Sequence, residues 1–212
     1  MIFVTGGTGY LGQRLIPALL SRGHQVRALA RPGSESRLPA GCEAVLGNAL
    51  DAASFASKIA PADTLVQLIG VPHPAPWKAQ QFREVDLVAA RASVAAAKEA
   101  GIRHFVYLSV AQPAPVMRSF LAVRAECEAA IRASGIPATF VRPWYVLGPG
   151  HRWPYALIPF YALLERFPPT RDTARRLGLV TLRQTVAALV RAVESPPDGV
   201  RIFDVEEIRR AA

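Results

Sequence analysis

The chain has 212 residues, enough for a single domain with a buried core and no need of disulfide staples. Apolar residues make up 51% and charged residues 19%, which excludes a disordered chain. A formal charge of +9 favours anionic partners. The basic residues are arginines apart from Lys58, Lys78 and Lys98, and they are scattered along the chain without interleaved aromatics. No specific nucleic-acid partner is therefore expected. Cys42 and Cys127 read as reduced core residues, and no metal-ligand spacing occurs, so no metal is expected. The opening segment lacks a basic, apolar leader, and no apolar run reaches the length of a membrane span. The expected location is the cytoplasm.

Strand and helix patterns alternate in chain order. Ile2–Thr5 is an apolar strand that stops at glycines, and Tyr10–Ser21 carries helical spacing closed by Gly23. Gln25–Ala30 and Cys42–Leu46 follow as strands, Ser54–Ile59 as a short helix and Thr64–Ile69 as a buried strand. Phe82–Ala100 is an alanine-rich helix, His104–Leu108 a strand, Phe120–Ala133 a helix and Ala138–Arg142 a strand. Thr181 caps a helix through Val193, and Arg201–Val205 is the last strand. This order predicts an α/β fold, a doubly wound parallel sheet of Rossmann type, with a small helical C-terminal lobe. Residues 1–212 form one domain, in which 143–200 supply a lobe over the site. Ligands of such sheets sit beyond the carboxyl ends of the strands.

The segment after the first strand is Thr5-Gly6-Gly7-Thr8-Gly9-Tyr10-Leu11-Gly12. It fits G-x-G-x-x-G and opens a helix, the context in which that spacing is informative. One glycine permits the turn, Gly9 lets backbone approach a pyrophosphate, and Gly12 lets the helix pack closely on the sheet. The helix N-terminus then offers N–H groups to phosphates. The second strand ends without the acidic residue that would bind a ribose 2′-hydroxyl; Arg31 stands there instead. An arginine at that place pairs with a 2′-phosphate, so NADP(H) is expected over NAD(H).

These residues resemble the atypical short-chain dehydrogenase/reductase superfamily, in particular NAD(P)-binding members of the NmrA-like and complex-I-subunit-like kind. The resemblance covers nearly the whole chain. It implies that Gly6, Gly7, Thr8, Gly9, Tyr10, Leu11 and Gly12 form the phosphate loop. Gly47-Asn48 resembles the Gly-Asp pair on the adenine, with Ala49 beside it, and Leu68-Ile69-Gly70 the wall under the adenosine ribose. Ser109 takes the place of the active-site serine, and Arg142-Pro143-Trp144 opens the segment beside the nicotinamide. Catalytic members carry Tyr-x-x-x-Lys on the helix after the fifth strand; by position that pair here is Phe120 and Arg124. No tyrosine in the chain is followed by lysine four residues on. Phenylalanine has no proton to give, and Arg124 keeps the capacity to hold a ribose or phosphate.

Ser109 and Tyr145 remain as polar candidates for catalysis at the nicotinamide end. Glu126 and Glu128 read as helical-spacing partners of Arg124 and Arg132. The stretch from His151 to Phe167 is rich in aromatics and flanked by Arg152, Arg166, Arg171, Arg175 and Arg176. It reads as an apolar lid for a small apolar substrate, as a peripheral-membrane or protein-partner surface over residues 151–176, or as ordinary core. Besides a peripheral membrane or quinone-associated subunit that keeps the dinucleotide as a structural ligand, two functions follow. One is an NADP(H)-binding sensor or regulatory and assembly protein without tyrosine–lysine catalysis. The other is an NADPH-dependent reductase of a small apolar carbonyl, enone or quinone using Ser109, Tyr145 or water.

Overall fold

The computed structural model describes residues 1–150, 156–164 and 166–212. Its strands are Ile2–Thr5 (β1), Val26–Ala30 (β2), Glu43–Leu46 (β3), Thr64–Gln67 (β4), His104–Leu108 (β5), Ala138–Val141 (β6), Tyr145–Leu147 (β7), Leu179–Thr181 (β8) and Val200–Phe203 (β9). Seven of them form one sheet in the order β3-β2-β1-β4-β5-β6-β9. Every neighbouring pair is parallel. The central strands β1, β4 and β6 are buried along their whole length, as strands covered on both faces must be, with Thr5, Thr64, Gln67 and Thr139 buried among the apolar residues.

The helices are Gly12–Ser21 (α1), Ala79–Gln81 (α2), Val88–Glu99 (α3), Arg118–Ala133 (α4), Ile158–Leu164 (α5), Pro168–Arg176 (α6), Leu182–Glu194 (α7) and Val205–Arg209 (α8). Side chains alternate across β1 and feed two cores. Phe3 packs with Phe55, Phe105, Phe140 and Ile131 on one face. Ile2 and Val4 pack with Leu15, Leu19, Leu189 and Val190 from α1 and α7 on the other. Thr181 caps α7 as its sequence predicts, in a reciprocal box with Gln184.

Several elements differ from the sequence reading. The first helix begins at Gly12, because residues 10–11 are still part of the glycine turn. Ser54–Ile59 is not one helix; Ala52–Ser54 and Ala56–Lys58 are separate 3-10 turns, the first capped by Asp51. The long helix is wound as a π-helix over Phe82–Leu87 before it continues as α3. The last strand ends at Phe203, since Asp204 caps α8 through a second box with Glu207. The C-terminal region holds the expected helices and also a two-stranded parallel sheet of β7 and β8, too short to read from alternation. Among the described residues no helix is long and apolar enough to cross a membrane.

Candidate functional site

The sheet order reverses between β1 and β4: the chain winds outward to β3 on one side and returns to β4 on the other. A crevice must open there at the carboxyl ends of the strands. It measures about 470 Å³ and is lined by Gly6, Thr8, Gly9, Leu29, Ala30, Arg31, Gly47, Asn48, Ala49, Leu50, Leu68, Ile69, Gly70, Pro72 and Val85. A wider groove of about 630 Å³ between α1 and α7 contains none of these residues.

The glycine loop is built by close approaches. Gly6 has φ of +79°, and a Cβ there would stand 3.1–3.2 Å from Leu68 and the Ile69 nitrogen. Gly7 faces inward, where a Cβ would press on Ala28, Ile16 and Leu38 at 3.0 Å. A Cβ on Gly12 would overlap the Gly6 carbonyl and the Gly7 backbone. Gly12 thus seats the helix on its own loop rather than on the sheet, which corrects the sequence reading. Thr5 Oγ donates to Gln67 Oε1 at 2.8 Å, and the same oxygen accepts the Ile69 N–H at 2.7 Å, tying the ends of β1 and β4 together. No side chain caps α1, and no acid occupies its first turn, so its N-terminal end stays open to an anion. Tyr10 carries the Arg14 guanidinium on its ring at 4.5 Å, and a Cβ on Gly148 would collide with its hydroxyl.

Arg31 is exposed on the wall of the crevice, and among the described residues no carboxylate is paired with it. Asn48 accepts the Leu50 N–H on Oδ1 at 3.1 Å. Its amide nitrogen donates to no described residue, which leaves a donor pair at the crevice rim. The open backbone of Gly6 and Gly9, the bare end of α1 and the unpaired guanidinium fit a dinucleotide in charge, shape and donors.

Behind Gly70 lies a buried ion pair. Asp86 Oδ1 meets Arg124 Nη2 at 2.7 Å, and Asp86 Oδ2 accepts the Val71 N–H at 2.9 Å. Arg124 Nη1 donates to the Leu108 carbonyl at 2.8 Å and to the Tyr107 hydroxyl at 3.1 Å. A Cβ on Gly70 would collide with Arg124 Nη2. Burial pushes the Asp86 carboxyl up against the opposing pull of Arg124. Arg124 is therefore placed behind the crevice wall and does not line it, because Asp86 from the π-helical segment claims the guanidinium. Asp86 and Val85 are the functional neighbours that sequence reasoning missed; both lie in the segment whose π winding leaves no mark in apolar periodicity. Phe120 is buried, its ring 5.0 Å from that of Phe82.

Ser109 is buried at the end of β5 and donates to Glu128 Oε1 at 2.6 Å. Glu128 also accepts from Gln112 at 3.1 Å and from Arg142, whose guanidinium grips it through two nitrogens. Glu126 pairs with Arg83 and Arg91. The expected helical pairs of Glu126 and Glu128 with Arg124 and Arg132 are corrected: both carboxylates reach across to other elements, Glu126 to exposed arginines at the surface and Glu128 to the largely buried Arg142. Pro143 accepts the Ala111 N–H at 3.0 Å and so holds the β5 and β6 ends in step.

Beyond β6 lies a second, apolar cavity of about 360 Å³. Trp144, Tyr145, Val116, Tyr161, Leu164 and Leu177 form much of its lining. The Trp144 and Tyr145 rings meet edge-on at 5.5 Å. Burial raises the Tyr145 hydroxyl above its ordinary pKa, so it remains protonated at neutral pH. Because β1, β4 and β6 are parallel, this cavity and the crevice share one edge of the sheet. Arg152, Trp153 and Tyr155, which the lid expectation includes, lie outside the described residues.

A reversed parallel sheet with a glycine-built crevice at its switch point defines a Rossmann-type dinucleotide-binding domain. Residues 6–155 match the family described as NAD(P)H-binding, and the chain belongs to that family. It is similar to a ceramide reductase of Caulobacter vibrioides, 27% identical over 215 residues that span 99% of this chain and 65% of the relative. It is also similar to the (4-alkanoyl-5-oxo-2,5-dihydrofuran-3-yl)methyl phosphate reductase of Streptomyces griseus subsp. griseus, 36% identical over 68% of this chain and 47% of that enzyme. The chain spans from about a third to just under two thirds of the curated relatives it matches first. Among solved structures, the Bordetella bronchiseptica enzyme WbmH in complex with NAD+ superposes with a TM-score of 0.70 at 20% identity, over 99% of this chain and 78% of that one. A short-chain dehydrogenase/reductase superfamily protein from Agrobacterium tumefaciens with bound NAD gives a TM-score of 0.69 at 18% identity, over 99% and 81%. These likenesses show the fold.

Proposed function

We propose that the protein is an NADP(H)-dependent reductase of a small apolar carbonyl, enone or quinone. The observation that carries this reading is the apolar cavity beside Tyr145, on the same sheet edge as the dinucleotide crevice. At about 360 Å³ it lies at the small end of ligand pockets. The curated relatives described above are reductases by name.

The backbone of Gly6 to Gly12 holds the pyrophosphate, Asn48 and Ala49 the adenine, Ile69 and Gly70 the adenosine ribose, and Arg31 the 2′-phosphate. Pro143 and Trp144 border the nicotinamide end. When bound, the reduced dinucleotide would supply a hydride. Tyr145 donates the proton to the substrate oxygen and regains it from water. This assignment follows from three side chains. Phe120 stands where the resemblance puts the catalytic tyrosine. Arg124 is committed to Asp86 and holds the wall at Gly70 in place, instead of touching the ribose. Ser109 is committed to Glu128 and positions the β5 end.

A nucleotide-dependent sensor is the second reading, favoured by the engagement of Ser109 and by the missing phenol at Phe120. Titration with NADPH and NADH, read by nicotinamide fluorescence with and without enones and quinones, separates the two. Decay with one acceptor, slowed about 100-fold or more in Tyr145→Phe, is the expected result. Stable fluorescence with every acceptor establishes the sensor, and no binding of either nucleotide defeats both readings.

A further inference from the structure

The cavity beside Tyr145 opens within an unusual surface. Val116 and Phe160 both line it and are 52% and 54% exposed, so they mark its mouth. Leu163 and Phe167, 53% and 55% exposed, continue the apolar surface beyond it. Helix α5 explains the geometry. Tyr161 and Leu164, three apart, turn to the cavity; Phe160 and Leu163, also three apart, turn outward. Among its described side chains, the helix is apolar toward the cavity and toward the outside, and covered only toward the cavity. An outward apolar face grouped around a pocket mouth calls for a partner.

The charge beside it selects that partner. Arg166 and Arg175 are exposed, with Arg171 half-buried between them. Arg176 donates to the Pro113 carbonyl at 3.2 Å, which fastens α6 to the loop that carries Val116. Arg175, Arg209 and Arg210 line one shallow depression with a single carboxylate, Glu206. Asp172 is the only acid on α6. Exposed apolar side chains with an exposed arginine, Arg166, between Leu163 and Phe167 in the chain and further arginines on α6 are suited to a bilayer interface: the apolar groups enter the acyl boundary and the guanidiniums stay among phosphates.

We propose that Phe160, Leu163 and Phe167, with the α6 arginines, dock the protein on an anionic lipid surface, and that its substrate is a lipid-dissolved molecule entering the cavity from the bilayer. The substrate half of this inference rests on the reductase reading; the docking half does not.

The test is cosedimentation of the full chain with phosphatidylcholine vesicles, with and without phosphatidylglycerol. Binding should be about tenfold or more stronger on the anionic vesicles and should fall as salt rises. The double variant Leu163→Glu/Phe167→Glu should lose it while keeping NADPH affinity, since neither residue lines the crevice or the cavity. Arg166→Ser/Arg175→Ser should lose the preference for anionic lipid. Docking is overturned by equal binding to neutral vesicles, by no binding at low salt, or by wild-type binding in the Glu variant. It is also overturned if that variant only converts a dimer to a monomer, which makes the face a contact between copies. Vesicle binding without any reductase activity leaves docking standing and removes the substrate half. NADPH oxidation without vesicle binding removes both halves and leaves only the reductase reading standing.

Discussion

At the scale of single residues, Arg31 carries the sharpest consequence. It stands where β2 ends, exposed on the crevice wall, with no paired carboxylate among the described residues. A guanidinium in that position gains most from a phosphate and little from a hydroxyl. Arg31→Ala should weaken NADPH by about 1–3 kcal/mol and leave NADH nearly unchanged, measured by titration with each nucleotide. Equal losses would remove the 2′-phosphate assignment. Arg31 was legible because its place follows from counting along β1, α1 and β2, all local in sequence. Arg124 was not. Its position on α4 is readable, but its partner Asp86 lies 38 residues away by number in a segment of different winding.

At the scale of elements, the π-helical segment Phe82–Leu87 ties the crevice to the helix behind it. It brings Val85 to the crevice and Asp86 to both the Val71 N–H and Arg124. One carboxylate thereby joins the loop after β4 to α4. Asp86→Ala leaves a buried guanidinium without its counter-charge and should cost about 3–5 kcal/mol in denaturant unfolding. Replacing both members, Asp86→Leu with Arg124→Met, should restore much of that stability, because no charge is then left unpaired. If the double replacement is as unstable as the single one, the pair matters for shape rather than charge. Glu128 plays a similar joining part between β5, α4 and β6 through Ser109 and Arg142. Such long-range carboxylates look, in sequence, like ordinary helix-face acids.

At the scale of the whole molecule, the parallel sheet sets the site and buries a histidine whose protonation opposes folding in acid. His104 begins β5 and is buried, with Nε2 3.0 Å from the Thr139 hydroxyl of β6. Burial, helped by the positive charge of Arg201, lowers its pKa from 6.5 to about 4. Between those values the unfolded chain binds more protons than the folded one. Stability from this group is therefore complete above pH 6.5 and is lost as the pH falls toward about 4, with a total on the order of 3 kcal/mol. Melting temperature should drop across that window, and His104→Gln should flatten the drop. An unchanged profile in the variant would assign the acid sensitivity to other groups.

The glycine loop, the alternation of strand and helix and the basic residue after β2 are properties of neighbouring residues, so the sequence alone determined the dinucleotide-binding fold and most of the crevice. Gly6, Thr8, Gly9, Arg31, Asn48, Ala49, Ile69 and Gly70 do line one cavity. Tertiary structure decided the rest. It drew Arg124 and Ser109 into carboxylate pairs. It paired β7 with β8 across 31 intervening residues, and it gathered Trp144, Tyr145 and α5 into an apolar cavity with an exposed rim. Which buried charge meets which, and which apolar face finds cover, depends on elements far apart in the chain. Local periodicity records that a face is apolar, not what packs against it.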